Sequence, residues 1–234
     1  MKKSLILSFI LIASVAFSAT NEEIIKHFKA QIPIANIQIK VTSRKQISKD
    51  LDFVSLYITD GKDSQSVSIF TNGEYIFPDA INVKTNVSLK DEMRRVQINK
   101  NISEVYKKED KKNIISIGHD PKKETLVIFS DPECPFCKKE LDNIENELTK
   151  YNVKMIFTPV HDRNSLAKSY LIYKYIKNAK TDKEKIATIR KYFDSETDEK
   201  VSDANVKKID DLRQKYFAAG INGTPYKVME KEIE

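Results

Sequence analysis

The apolar run Thr125-Leu-Val-Ile-Phe-Ser130 is followed within four residues by Cys134-Pro-Phe-Cys137, and then by a helical pattern that continues to Lys150. The run is short, unbroken and rich in branched and aromatic residues. It predicts a strand buried on both faces, because a half-exposed strand would alternate. Leu141, Ile144 and Leu148 then recur on one helical face, and Pro135 suits the first turn of that helix, where its missing N–H costs nothing. A buried strand that passes directly into an amphipathic helix has α/β character. Here the passage carries the only two cysteines of the 234 residues.

Two thiols at this spacing have three possible uses. A structural disulfide would close a very small loop and do little to the unfolded chain's entropy. A zinc site would need two further ligands, and His27, His119 and His161 lie far apart with no metal spacing between them. A two-cysteine site shared across a dimer, or a copper site, stays open on these grounds. Thiol–disulfide exchange gives the spacing a mechanical reason. Cys134 at a helix start faces unpaired N–H groups and the positive end of the dipole, which favour a thiolate. Cys137, one turn later, can reach a mixed disulfide at Cys134. Pro135 and Phe136 place no charge between the sulfurs. The placement between strand and helix makes the Cys-x-x-Cys pair much more specific than it would be alone.

The rest of the chain divides into three. Residues 21–30 carry Ile24, Ile25 and Phe28 at helical spacing, with Asn21 as N-cap. Apolar runs follow at 37–41, 53–58, 67–70 and 75–77, with Asn72-Gly73 a strong hairpin signal between the last two. Residues 20–88 thus predict a small domain with one helix and a mostly antiparallel sheet. Residues 89–111 are highly charged, lack Gly and Pro, and predict a helical linker. From 112 to 234 the order is strand (113–118), strand (125–130), helix (135–150), strand (153–160), helices over 165–178, 182–192 and 203–219, then a Thr224-Pro225 turn into a last strand. The expected class is α+β.

The first residues, MKKSLILSFILIASVAFSAT, show a basic start, an apolar core from Leu5 to Val15 and small residues at 16–19. This is the layout of a cleaved secretory signal peptide, assigned to residues 1–19. Loss of the first eighteen residues removes Lys2 and Lys3 and no acid, lowering the formal charge from +6 to +4. The remaining charge is interspersed, so no nucleic-acid stripe is expected. Lys107-Lys108, Lys111-Lys112 and Lys122-Lys123 read as solvated surface. Tyr170, Tyr173 and Tyr175 fit helix packing more simply than a surface for unfolded chains.

The segment LVIFSDPECPFCKKE resembles the redox site of thioredoxin-fold proteins, especially the exported disulfide isomerases DsbC and DsbG. Gly223-Thr224-Pro225 resembles the loop that lies beside the cysteines in that fold. The resemblance implies Cys134 as nucleophile, Cys137 as resolving thiol, and a reversible Cys134–Cys137 disulfide. It also implies support from Pro135, Phe136, Thr224 and a cis Pro225, with Asp131 in the place of the family's acid; a turn or N-cap residue explains Asp131 equally well. It further implies a dimerisation-type N-terminal domain, a periplasmic location, and exported cysteine-containing proteins as substrates. A membrane redox partner follows, either a DsbD-like reductant or a DsbB-like oxidant. Neither cofactor nor metal is expected.

Two departures from the family stand out. A second, structural cysteine pair is missing, and only KVMEKEIE follows Pro225-Tyr226, where the fold would have a further strand and a terminal helix. The thioredoxin-like region is therefore expected to be shortened at its C-terminus and to carry a helical insertion. Disulfide isomerase or reductase is the expected activity. A disulfide-introducing oxidase and a redox-independent chaperone are the alternatives.

Overall fold

A computed structural model describes residues 19–194 and 199–234, so the signal-peptide assignment lies, apart from Ala19, outside the described residues. The chain forms two compact units, divided between Met93 and Arg94.

The first unit begins with helix α1 (Asn21–Gln31), whose N-cap is Thr20 rather than Asn21. Thr20 accepts from the Glu23 N–H while the Glu23 carboxylate accepts from the Thr20 N–H, a reciprocal capping box that Asn21 could not form. Strands β1 (Gln38–Ser48), β2 (Leu51–Thr59), β3 (Ser64–Thr71) and β4 (Ile76–Phe77) follow as an antiparallel meander in sequence order. The Asn72-Gly73 turn joins β3 to β4, with Gly73 at φ 99°, and pairs Phe70 with Phe77. Val54, Leu56 and Ile58 alternate along the central β2 and pack with Ile24, Ile39 and Ile69 into one core. A two-residue ladder, β5 (Ile81–Asn82) with β6 (Val87–Ser88), leads into helix α2 (Leu89–Tyr106). Asp79 and the Ser88 hydroxyl accept from the Lys90 and Asp91 N–H groups and satisfy the start of α2.

The second unit is built on a four-stranded sheet. Strands β7 (Ile115–Ile117), β8 (Thr125–Ser130), β9 (Asn152–Phe157) and β10 (Tyr226–Met229) lie in the order β10-β8-β9-β7. β8 and β9 are parallel, and the two edge strands run antiparallel to their neighbours. The register sets Leu126, Ile128, Val153, Met155 and Phe157 on one face, and Val127, Phe129, Ile156 and Tyr226 on the other. Phe157 meets Tyr173 and Phe193, while Phe129 meets Tyr216 and Tyr226, so both faces are covered. This is why β8 reads as an unbroken apolar run.

Helices α3 (Pro135–Asp142) and α4 (Ile144–Lys150) occupy the span predicted as a single helix. Asn143 separates them at φ −97°, ψ 8°, and its carbonyl accepts from the N–H groups of Asn146 and Glu147. Asparagine competes poorly for a helix interior, and the break falls on it. Helices α5 (Arg163–Tyr175), α6 (Asp182–Asp194) and α7 (Asp203–Ala218) make the expected helical insertion. In α5, Tyr173 is buried, donating to the Asn113 carbonyl and accepting from the Phe157 N–H, and Tyr175 stacks on Tyr192. Tyr170 also packs against the core, so all three tyrosines serve packing.

The C-terminal half of α2 is more than a connector. Ile102 and Tyr106 belong to the core of the second unit, with Ile98 and Val105 packed against it. Asn99 donates to Glu232 and accepts from the Tyr226 hydroxyl, and Arg95 donates to the Lys227 carbonyl. Tyr106 donates to Glu230, which also pairs with Lys154 at 2.5 Å. Thus α2 covers β10 and the 3₁₀ turn Glu230–Glu232 beyond it, part of the cover that the sequence left unassigned. Replacing Ile102 (0% exposed) by alanine should cost about 2–4 kcal/mol in urea unfolding of the whole chain. Replacing Val96 (53% exposed) on the same helix should cost under about 0.5 kcal/mol. Equal effects would show that α2 is only a linker.

Candidate functional site

β8 ends at Ser130, and α3 begins at Pro135 after the four residues 131–134. Cys134 occupies the N-cap position with extended backbone (φ −81°, ψ 120°), and Pro135 takes the first helical turn. The Cys134 N–H donates to the Asp131 carbonyl at 3.2 Å, and the Cys134 carbonyl receives the Lys138 N–H at 3.0 Å. The first turn of α3 contains no acid, so nothing in it opposes the dipole at the first sulfur.

Both cysteines are free thiols and both are buried. The Cys134 thiol donates to the Thr224 carbonyl at 3.2 Å, across ninety residues of sequence. The Thr224–Pro225 peptide bond is cis, and β10 begins directly after it and pairs Tyr226 with Phe129. The sheet therefore carries both halves of the site: β8 delivers Cys134, and its neighbour β10 delivers Thr224 and Pro225. Cys137 lies one turn inside α3, more deeply buried than Cys134. Burial pushes its thiol well above the ordinary value; the Ser130 and Thr224 hydroxyls and the Asp131 backbone oppose that shift, and the neighbouring Cys134 adds to it. Phe136, between the cysteines, is 70% exposed.

Asp131 is fully buried and accepts five hydrogen bonds. The Glu133 N–H (2.9 Å) and the Ser165 hydroxyl reach Oδ1. The Val160 N–H (2.8 Å), the His161 N–H (3.1 Å) and His161 Nδ1 (2.7 Å) reach Oδ2. Burial alone would raise this carboxyl, but the bonds from Ser165, Glu133 and His161 outweigh it and hold Asp131 below the usual carboxylate range. Asp131 is thus a tie between the β8–α3 loop, the segment after β9 and the first turn of α5. A carboxylate with every lone-pair direction occupied is a poor proton acceptor for a neighbouring thiol.

The structure brings together Cys134, Cys137, Thr224, Pro225, Asp131, Pro135 and Phe136. His161, Ser165, Glu133 and Lys168 join them, and the sequence alone does not assign these four to the site. In the sequence His161 stands out only as a possible metal ligand, and Lys168 is a buried cation paired with Glu133 at 3.3 Å. The available signal was the segment Val160-His161-Asp162 at the end of β9. In an α/β sheet the carboxyl ends of parallel strands converge on one site, and β9 is parallel to β8.

Residues 110–232 match the family described as thioredoxin-like domain. No curated protein matches the chain. Among solved structures, DsbG of Helicobacter pylori is similar at 21% identity, with a TM-score of 0.51 over 89% of this chain and 99% of that one. A linker-deletion mutant of Proteus mirabilis ScsC is 20% identical, with a TM-score of 0.43 over 60% of this chain and 78% of that one. The thiol-disulfide exchange protein α-DsbA2 of Wolbachia pipientis is 14% identical, with a TM-score of 0.41 over 58% and 87%. The likeness to DsbG extends over both units and shows a common fold. The family match covers more than half of the sequence, and the chain belongs to the thioredoxin-like domain family.

Proposed function

We propose that this protein is a periplasmic thiol–disulfide oxidoreductase acting on exported cysteine-containing proteins, and that its main work is disulfide isomerisation or reduction. The observation that carries this reading is the contact of the Cys134 sulfur with the Thr224 carbonyl at a helix start, with Cys137 one turn behind. The thioredoxin-like fold shared with Helicobacter pylori DsbG supports thiol–disulfide exchange, the resemblance of LVIFSDPECPFCKKE to the exported isomerases favours the isomerase branch, and the sequence of residues 1–19 supports export.

Cys134, as thiolate, attacks one sulfur of a substrate disulfide. The substrate S–S bond breaks, a Cys134–substrate bond forms, and the second substrate sulfur leaves as a thiolate. In isomerisation that thiolate attacks another disulfide of the substrate. A substrate thiol later displaces Cys134, with no net change in electrons. In reduction, Cys137 gives up its proton and attacks the Cys134 sulfur. The substrate departs as a dithiol, and the Cys134–Cys137 disulfide holds the oxidised equivalent until a dithiol reductant, DsbD-like in kind, restores it. The Thr224 backbone pairs with an extended substrate in this reading, as the family resemblance implies, and the 70% exposed Phe136 offers an apolar contact. No cofactor or metal enters these steps. An oxidase kept oxidised by a DsbB-like partner would run the same bonds in reverse.

A homodimer through residues 20–88 completes the proposal, with 112–234 as catalytic region and the helix of the expected linker 89–111 shared, its C-terminal half packing into that region's core. Support comes from apolar side chains exposed on the first unit, among them Tyr75, Ile81, Val83 and Val87. A monomer in sedimentation at micromolar concentration would remove the dimer.

Cys137→Ser should accumulate a mixed disulfide with a scrambled substrate, visible as a reducible adduct on a non-reducing gel, and Cys134→Ser should form none. Adducts at residue 137 in the Cys134→Ser variant would reverse the assigned roles. With a scrambled disulfide protein and the reduced enzyme, recovery of native substrate should rise at least about tenfold above the uncatalysed rate. Faster disulfide formation in a fully reduced substrate, without rescue of the scrambled one, would instead mark an oxidase. Substrate protection that survives in Cys134→Ser would mark a chaperone.

A further inference from the structure

Asp131 poses an electrostatic problem for the exchange chemistry proposed above. It is a buried anion three residues from the reactive sulfur, and its own carbonyl accepts the Cys134 N–H. Its carboxylate accepts from the N–H of Glu133, the residue next to Cys134, at 2.9 Å, and a like charge held that close to the helix start disfavours a thiolate there. The structure supplies a compensating group at 2.7 Å, the imidazole of His161, whose side chain is 44% exposed and so exchanges protons with solvent freely. We propose that His161 is a positioning residue that neutralises Asp131 and thereby sets the pH range over which Cys134 exchanges. The inference rests on the oxidoreductase reading.

The charges around His161 support its protonation. Asp131 and Glu133 face it from the β8–α3 loop, and Asp162 from the start of α5. From α7, Arg213 donates to the His161 carbonyl at 3.3 Å while also paired with Asp210. Glu133 is itself paired with Lys168. The hydrogen bond to Asp131 raises the imidazole above its ordinary value, although burial opposes this. The sign follows from these placements. While His161 carries its proton, the Asp131–His161 pair is neutral and the sulfur meets little opposing charge. As pH rises and His161 loses that proton, the Asp131 charge is left to act on the sulfur.

The direct test uses the full chain with His161→Asn. The asparagine amide stands where Nδ1 does and can donate to Asp131 but carries no charge; His161→Ala removes both donor and charge. The rate of Cys134 alkylation is followed from pH 5 to 10 by mass spectrometry of the labelled peptide. Both variants should shift the midpoint of the profile upward by roughly half a pH unit. A His161→Asn profile that superposes on the parent overturns the inference, as does a shift confined to His161→Ala, which would mark a merely structural hydrogen bond. Parent protein without any Cys134-dependent disulfide exchange would overturn the functional reading itself. An active parent with an unmoved His161→Asn profile defeats only the role of His161.

Discussion

A single buried carboxylate holds the candidate site in shape. Asp131 takes five hydrogen bonds from three separate segments, and the one from the Ser165 hydroxyl answers a donor that would otherwise be buried without a partner. Its backbone does further work, because its carbonyl receives the Cys134 N–H and so fixes where α3 begins. The position of the first sulfur, its contact with Thr224 and the depth of the second sulfur all follow from that start. The sheet supplies the other constraint. β10 pairs with β8 residue by residue, so the loop ahead of Tyr226 is carried to the end of the strand that delivers the cysteines.

The two thiols share one turn of helix but not one environment. Cys134 stands at the helix start with a backbone carbonyl as its partner, while Cys137 is enclosed and raised by burial. This asymmetry suits a sequence of two attacks. The outer sulfur meets substrate first, and the inner one gives up its proton only after a mixed disulfide has formed beside it. Among the described residues the Ser130 and Thr224 hydroxyls near Cys137 have no other hydrogen-bond partner, which leaves them free to ease the loss of that proton.

Much of this was legible in the residues. The unbroken apolar pattern of Thr125–Ser130 betrayed a strand with two buried faces, and Asn72-Gly73 announced its hairpin because few residue pairs tolerate that turn. Other features were hidden because they arise from tertiary contact. The capping box at Thr20 depends on a reciprocal bond that outweighs the local appeal of Asn21. The break at Asn143 lies within a pattern that stays amphipathic on both sides of it. The second half of α2 looked too sparse in apolar residues to join a core, yet Ile98, Ile102 and Val105 suffice when the surface they cover is one strand and a short turn. His161 was invisible for a similar reason. Nothing local links it to Asp131, thirty residues earlier, and only the parallel pairing of β8 with β9 brings the two together.

The account depends on the two sulfurs being chemically unequal in the folded, reduced protein. Limiting iodoacetamide at pH 7, followed by peptide mass spectrometry, measures that inequality directly. Cys134 should take up label at least about tenfold faster than Cys137, and the difference should vanish in denaturant. Equal labelling of both residues in the folded protein, or preferential labelling of Cys137, would contradict the account.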